Sequence, residues 1–286
     1  MKRAPARKPA AFADPLAELL RPGQSVELLK ELHILTRDGR LNQDSRRKLK
    51  QVYHLCQFIE PLIDEVLGRQ DTLRLADHGA GKSYLGFILY DLYLKDRAGA
   101  HIHGIETRDE LVAKSRELAA RLGFDRMSFL NATVAESTRV DALPERFDIV
   151  TALHACNTAT DDAIRFAFAK SARHIVLVPC CQAEVAAVLR RRKNAALGKT
   201  PLSEIWRHPL HTREFGSQLT NVLRCLQLEA HGYQVSVTEL VGWEHSLKNE
   251  LIVASRADHP RGDARARLAA ILDAFDLGEL APRFLD

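Results

Sequence analysis

The length, composition and charge of the chain limit its function before any motif is considered. Its 286 residues suffice for one large α/β domain with an added helical segment. The hydrophobic fraction of 46% and the charged fraction of 27% are those of an ordinary soluble protein, and without a long apolar run we expect no membrane span. The net charge of +4 permits an anionic partner without requiring one.

The amino-terminal residues 1–11 form a basic segment that no apolar signal core follows, so we expect a disordered tail and a cytoplasmic protein. The cysteines agree with this location. Their number is five, and an odd number without a secretion signal favours reduced thiols.

Residues 12–70 are predicted to form a helical amino-terminal segment. Within it, Asp44–Leu67 places apolar side chains at helical spacing, with Ser45 or Asp44 as the cap. The first turns of this helix are basic, which is unfavourable at a positive helix end unless an anion binds there. The residues concerned are Arg46, Arg47, Lys48 and Lys50. They form either a solvated face or a contact to RNA.

From residue 71 to residue 257, strands and helices alternate, the pattern of a mostly parallel sheet covered on both faces. Residues 258–286 are predicted to form a loop and one helix, Ala264–Phe275. The predicted strands are Leu73–Asp77, Ala100–Glu106, Met127–Val134, Phe147–Leu153, His174–Val178, Gln234–Leu240 and Leu247–Ser255.

The most informative segment follows the first of these strands. Asp77 ends the strand, and Gly79 and Gly81 form a turn before a helix begins. Glycine at those positions allows a ligand to approach the backbone closely, and the helix directs free N–H groups at the same place. The carboxyl end of a first strand is the usual ligand position in an open α/β sheet.

Two interpretations of this loop lead to different enzymes. With Lys82 and Ser83, it fits a relaxed phosphate loop that would bind ATP and magnesium. Alternatively, Asp-x-Gly-x-Gly is the opening motif of class I S-adenosylmethionine methyltransferases, in which Asp77 and the glycine amides would hold the methionine end of the cofactor.

The second strand favours the methyltransferase interpretation. It ends in Glu106, and an acid at that position can accept hydrogen bonds from a ribose diol. At the end of the third strand, Asn131 is expected near an adenine ring, although it could equally cap the strand end.

Polar residues follow the fourth, fifth and last strands, where an acceptor would meet the transferable methyl group. We predict that His154, Asp161, Cys180 and Lys248 line this side. Methyl transfer needs an acceptor in line with the sulfonium and, for a weak nucleophile, a base that takes its proton. For Asp161 the alternative is a structural role as a helix cap.

The adjacent Cys180 and Cys181 leave three alternatives open. They shape a tight turn as small apolar groups, one of them is a covalent nucleophile, or they join His154 and Cys156 in a zinc-like set. The sequence has no Cys-x-x-Cys pair, so a metal is not part of the predicted site.

Four motifs together resemble a known family, the broad methyltransferase-domain family that includes the CHHC-zinc-finger tRNA 2′-O-methyltransferases. The resemblance extends over about residues 45 to 255. It departs from the family at Asn157, where a glycine is usual, and at Leu247, where a proline is common. The motifs are Asp77-His-Gly-Ala-Gly-Lys-Ser-Tyr-Leu, His154-Ala-Cys-Asn-Thr-Ala-Thr-Asp161, Pro179-Cys-Cys181 and His245-Ser-Leu-Lys-Asn249.

This resemblance implies a Rossmann-like seven-stranded methyltransferase sheet with an amino-terminal helical extension. It also implies S-adenosylmethionine as the cofactor and RNA, either rRNA or tRNA, as the acceptor. Two alternatives stay open at this stage: a non-enzymatic RNA-binding or assembly protein on the same scaffold, and a phosphate-loop ATPase.

Overall fold

The structure is a computed structural model, and it describes residues 20–40, 42–153, 157–179, 182–191, 200–240, 250–258 and 262–285. Within these ranges, seven strands form one sheet in the order β3-β2-β1-β4-β5-β7-β6. The strands are β1 Leu73–His78, β2 Ala100–Glu106, β3 Met127–Asn131, β4 Ile149–Ala152, β5 His174–Leu177, β6 Tyr233–Glu239 and β7 Glu250–Arg256. β1 to β5 are parallel, and β7 is antiparallel to both β5 and β6. The predicted Rossmann-like seven-stranded methyltransferase sheet is confirmed.

Helices cover this sheet on both faces. They are α1 Val26–Glu31, α2 Gln43–Leu67, α3 Tyr84–Leu89, α4 Asp109–Leu122, α5 Val134–Ser137, α6 Thr158–Ala169, α7 Glu184–Arg191, α8 Pro209–Ala230, α9 Ala264–Ala274 and α10 Ala281–Phe284. A π-helical turn, Tyr90–Leu94, continues α3. None of the helices in the described ranges is long and apolar enough to cross a membrane.

The strand order fixes where a ligand can bind. Chain connections run outward from β1 in both directions, first through β2 to β3 and then through β4 to β5. The loops that follow β1 and β4 therefore diverge and leave a crevice at the carboxyl edge. β4 and β5 are buried at every residue, as expected for central strands covered on both faces.

The amino-terminal helices are part of the core. Leu28 and Leu29 of α1 are completely buried against the same apolar cluster as α2, α3 and α4. The predicted cap of α2 is wrong. Asn42 caps this helix, because its side-chain oxygen accepts a hydrogen bond from the Ser45 amide at 2.7 Å.

The end of the third strand differs from the prediction. It ends at Asn131 rather than Val134, because Thr133 and Glu136 form a capping box that starts α5. Helix α8 begins at Pro209, where proline at the first helical position costs no hydrogen bond.

The carboxyl-terminal region packs on α8. Its helix α9 is confirmed, and the further helix α10 places Phe284 in an apolar cluster with Leu223 of α8 and Leu268 of α9. The end of the described chain is thereby brought within reach of the carboxyl edge of the sheet.

Candidate functional site

The glycine loop after β1 has the backbone that its sequence predicts. Gly79 and Gly81 adopt left-handed backbone angles, with φ of 62° and 57°. The amides of Gly79 and Ala80 donate to the Ile105 carbonyl at 3.0 and 3.2 Å, so the loop is fastened to β2. Residues with a Cβ rarely adopt these angles, which is why glycine occurs at both positions.

Glu106, at the end of β2, organises the mouth of this loop. Its carboxylate accepts hydrogen bonds from the Gly81 amide at 2.7 Å, from the Arg108 amide at 3.1 Å and from Arg108 Nε at 3.0 Å. Burial alone would raise the pKa of Glu106, but the bonds from Arg108 and the backbone outweigh it and lower this pKa to about 2. The carboxylate is therefore ionised at every physiological pH.

A cavity of about 470 Å³ lies between these two elements. Its lining includes Gly79, Gly81, Glu106, Ala132, Val134 and Ala159. A glycine turn, an ionised carboxylate and small apolar side chains suit a nucleoside with a charged tail. Asn131 lies at the outer end of β3, where its exposed amide donates to Asp109 at 2.9 Å.

Asp77 lies beneath the loop rather than at its surface. Only 3% of the residue is exposed, and the Thr151 hydroxyl donates to its carboxylate at 2.7 Å. Burial raises the pKa of Asp77 to about 6, although the bonds from Thr151 and the Gly86 amide oppose this rise. The carboxylate connects β1, β4 and the start of α3, and so supports the loop from below.

The two residues that suggested a phosphate loop have different environments. Lys82 is exposed, but Ser83 is completely buried with a φ of 50°. A Cβ placed on Gly86 would lie 2.7 Å from the Ser83 hydroxyl, so this hydroxyl faces the helix. A buried hydroxyl cannot hold a solvated magnesium ion, which disfavours the ATP-binding interpretation.

Several predicted residues of the acceptor side lie outside the described residues. They are His154, Cys156, Cys180, Cys181 and Lys248, so the zinc-like set and the nucleophile hypothesis also lie outside them. In the part of the chain that the structure describes, no cluster of three or more His, Cys, Asp or Glu side chains could hold a metal ion.

Asp161 is described, and it is 2% exposed. Its carboxylate forms an ion pair with Arg224 of α8 at 2.6 Å and approaches Arg283 of α10 at 3.4 Å. These contacts direct it into the protein, where it joins helices α6, α8 and α10. Because this carboxylate is buried and faces two arginines, we interpret Asp161 as a structural residue of this edge.

The sequence analysis did not identify Arg224, Asn221 and Gln182. All three are buried at the same edge, and they are linked to one another by hydrogen bonds. A signal was present in the sequence, because Ser217, Asn221 and Arg224 recur at helical spacing. That signal alone does not distinguish a buried polar face from a solvated one.

Residues 47–188 match the family model described as a methyltransferase domain. A comparison with curated protein sequences found no match.

Among solved structures, three similar ones are methyltransferases with different acceptors. The magnesium protoporphyrin IX methyltransferase of Synechocystis PCC 6803 is 14% identical with a TM-score of 0.46, over 80% of this chain and 94% of that one. An rRNA methylase from Streptococcus thermophilus is 10% identical with a TM-score of 0.44, over 70% and 95%. A precorrin-6y C5,15-methyltransferase from Geobacter metallireducens is 18% identical with a TM-score of 0.41, over 72% and 87%. Likenesses this distant carry no argument about the acceptor.

Proposed function

Because the chain is a class I S-adenosylmethionine-dependent methyltransferase, we propose that RNA is its methyl acceptor. The observation that carries this proposal is a row of three concavities on one side of the molecule. They share lining residues, and they lead from the basic start of α2 to the cofactor loop.

The first concavity, of about 910 Å³, lies between α1 and the start of α2 and includes Ser45 in its lining. It shares Glu31 and His33 with a second cavity of about 280 Å³ against α4. The second shares Lys82 with the cofactor cavity. A strand lying along this row would reach the cofactor without leaving the surface.

The side chains along the row favour an anionic strand. Six cations line it, against four carboxylates. Two ion pairs, Glu31 with Arg121 and Glu106 with Arg108, each remove one charge of either sign, so the row keeps an excess of positive charge. The cations are Lys30, Arg37, Lys82, Arg108, Lys114 and Arg121. Arg46, Arg47 and Lys50 extend them as exposed residues of α2. Lysine and arginine spaced along a groove are the usual contacts to a phosphate backbone.

We assign the cofactor cavity as follows. S-adenosylmethionine supplies a methyl group on a sulfonium centre. The turn at Gly79 and Gly81 admits the methionine end, and Asp77 holds that turn from below. Glu106 accepts the ribose hydroxyls, which replace the exposed Arg108 side chain on its carboxylate. Asn131 is assigned to the edge of the adenine.

The acceptor side is assigned to the three segments that follow β4, β5 and β6. His154, Cys180 and Lys248 remain the proposed contacts to the acceptor, with His154 as the group that takes a proton from it. An orienting role is sufficient where the acceptor is already a good nucleophile, since alignment alone accounts for much of such a rate. Asp161 has a structural role through its ion pair with Arg224 and does not contact the acceptor.

The test is transfer of a labelled methyl group from S-adenosylmethionine to three separate fractions of a cell extract: RNA, protein and small molecules. We expect label in the RNA fraction, removed by ribonuclease. Label confined to protein or to small molecules would overturn RNA as the acceptor and leave the methyltransferase activity intact. RNA binding without transfer to any fraction would instead favour an RNA-binding or assembly protein.

A paired variant tests the groove itself. Lys114 and Arg37 are exposed and line the second and first concavities. The double change Arg37→Ala and Lys114→Ala should raise the KM for RNA about tenfold. It should also reduce the slope of log K against log salt by about 1.4, since each lost single-strand phosphate contact contributes about 0.7. Arg265→Ala, an exposed cation on α9, is the matched control and should change neither. If the double variant and the control had equal effects, RNA would not bind along the row of concavities.

A further inference from the structure

Helix α8 has a buried polar face. Asn221 and Arg224 are 4% and 1% exposed, Thr220 is 5% exposed and Gln227 is completely buried. A buried polar group lowers the stability of a protein unless it finds partners, and a buried charge does so to a greater degree. The hydrogen-bond partners of these side chains therefore indicate what the buried polar face does.

Arg224 uses all three guanidinium nitrogens. Its Nε and Nη2 donate to the two oxygens of Asp161 at 2.6 and 3.1 Å. Nη2 also donates to the Asn157 carbonyl at 2.9 Å, and Nη1 donates to the side-chain oxygen of Asn221 at 3.3 Å. One rigid planar group thus joins a carboxylate, a backbone carbonyl and an amide.

Asn221 continues the network in two directions. Its side-chain oxygen accepts from the Gln182 amide at 2.7 Å, and its own amide donates to the Glu250 carboxylate at 2.7 Å. Gln182 is also held from the other side, because its oxygen accepts from the Ser217 hydroxyl at 3.0 Å. Each side-chain oxygen and nitrogen of this pair therefore has at least one partner.

Three of the residues that Arg224 and Asn221 hold directly or through each other have a common position in the chain. Asn157 is the first residue after 154–156, Gln182 is the first after 180–181, and Glu250 is the first after 241–249. Those three segments contain His154, Cys180 and Lys248, the residues proposed to contact the acceptor. They follow β4 and β5 and precede β7, three strands that are neighbours in the sheet.

We propose that Arg224 and Asn221 are positioning residues for methyl transfer. From one helix they hold Asn157, Gln182 and Glu250, the described residues that border the three acceptor segments. The proposal rests on the methyltransferase activity and not on RNA as the acceptor. Because a displacement of the reacting atoms by about 1 Å can change a rate about a hundredfold, fixing these bordering residues contributes to turnover.

Arg224→Lys separates positioning from charge. A lysine keeps one positive charge beside Asp161, but its single nitrogen cannot also reach the Asn157 carbonyl and Asn221. We expect turnover to fall at least about tenfold, the dissociation constant for S-adenosylmethionine to stay within about twofold, and the variant to remain folded. Arg213→Lys, an exposed arginine on the same helix, is the matched control and should change neither quantity.

The assay uses an unfractionated cell extract as acceptor, so its result does not depend on RNA. Hydrogen exchange of the full chain is measured in parallel. In Arg224→Lys, peptides containing 154–156, 180–181 and 241–249 should exchange faster, while those of β1 to β3 stay unchanged. Unchanged turnover and unchanged exchange in these peptides would overturn the proposal, and so would equal loss of cofactor affinity and turnover, which indicates a general structural role.

Asn221→Asp provides a second variant in case Arg224→Lys does not fold. An aspartate retains the oxygen for Gln182 but cannot donate to Glu250, and the two carboxylates repel. We expect faster exchange in 241–249 with little change in 154–156. A uniform increase over the whole chain would count against selective positioning by α8. If the wild-type protein methylates nothing in the extract, the methyltransferase premise itself fails, and the exchange data still decide whether α8 holds these segments.

Discussion

The two halves of the carboxyl edge of the sheet are built in different ways. In the cofactor half, the loop after β1 and the acid after β2 lie within 30 positions of each other, and their contacts are mostly to backbone groups. In the acceptor half, Asp161, Gln182, Arg224 and Arg283 come from four helices or their flanks spread over more than a hundred residues. The cofactor half is a local structure, whereas the acceptor half is assembled by side chains from distant parts of the chain.

The charges of the two halves differ correspondingly. Glu106 is at the surface of a cavity, and its pKa is lowered to about 2 by nearby donors. Asp161 is a buried anion whose partners are two arginines from other helices. A ligand can replace a contact of the first carboxylate, while the second is needed to neutralise Arg224. We therefore expect the loss of Glu106 to lower cofactor affinity and the loss of Asp161 to lower the free energy of unfolding.

The largest effect is expected from Asp161→Asn. Arg224 would keep its charge but lose its buried partner, and breaking one side of a buried pair costs about 3–5 kcal/mol of unfolding free energy. Chemical denaturation measures this loss. The control is Asp263→Asn, whose ion pair with Arg267 is exposed and should contribute less than about 1 kcal/mol. Similar small losses in both variants would show that the acceptor half does not depend on its ion pair.

Glu106→Gln should chiefly affect the cofactor. The change removes a charged acceptor of hydrogen bonds, each of which contributes about 1.5–3 kcal/mol, so the affinity for S-adenosylmethionine should fall about tenfold to a hundredfold. Isothermal titration measures it. Glu145→Gln, on an exposed loop, is the control. An affinity that is the same in both variants would remove Glu106 from the cofactor site.

Gly216→Ala tests close packing behind the acceptor half. The added Cβ would lie 2.6–2.7 Å from Ala186 of α7, and overpacking of this kind costs about 1–3 kcal/mol. Thermal unfolding measures the change. Gly123→Ala is a useful comparison, because no atom lies within 4 Å of its Cβ and only its φ of 68° opposes the substitution. We expect turnover to fall with Gly216→Ala only, since the clash with α7 displaces α8, which carries Asn221 and Arg224.

The smallest effect concerns Asp77 and pH. Its folded pKa of about 6 lies above the ordinary value of 3.8, so the folded state binds the proton more tightly and loses stability as pH rises through this interval. Relative to Asp77→Asn, the wild-type unfolding free energy should fall by roughly 2 kcal/mol between pH 4.5 and pH 7.5. Because an asparagine does not titrate, subtracting the unfolding free energy of Asp77→Asn removes any effect of the substitution that does not depend on pH. A difference that does not vary with pH would contradict the raised pKa.

The cofactor half was largely predictable from the sequence because its determinants are local. Left-handed glycines and a strand that ends in an acid leave a pattern within a short window, and the sheet order follows from alternating strands and helices. The ends of elements were less predictable. Thr133 ends β3 and Asn42 starts α2 through capping bonds, and neighbouring residues of similar propensity, such as Ser45, compete for the same function.

The sequence by itself thus determined the fold class, the glycine turn at Gly79 and Gly81, and the acid that ends β2, Glu106. Only the tertiary structure decided the use of Asp161, Asn221 and Arg224. Their residue types are compatible with a solvated helix face. The packing of α8 against α7, α9 and α10, together with the ion pair to Asp161 of α6, buries them and makes their mutual hydrogen bonds necessary. Periodicity in a sequence reports which residues share a face, but which surface covers that face depends on contacts between residues far apart in the chain.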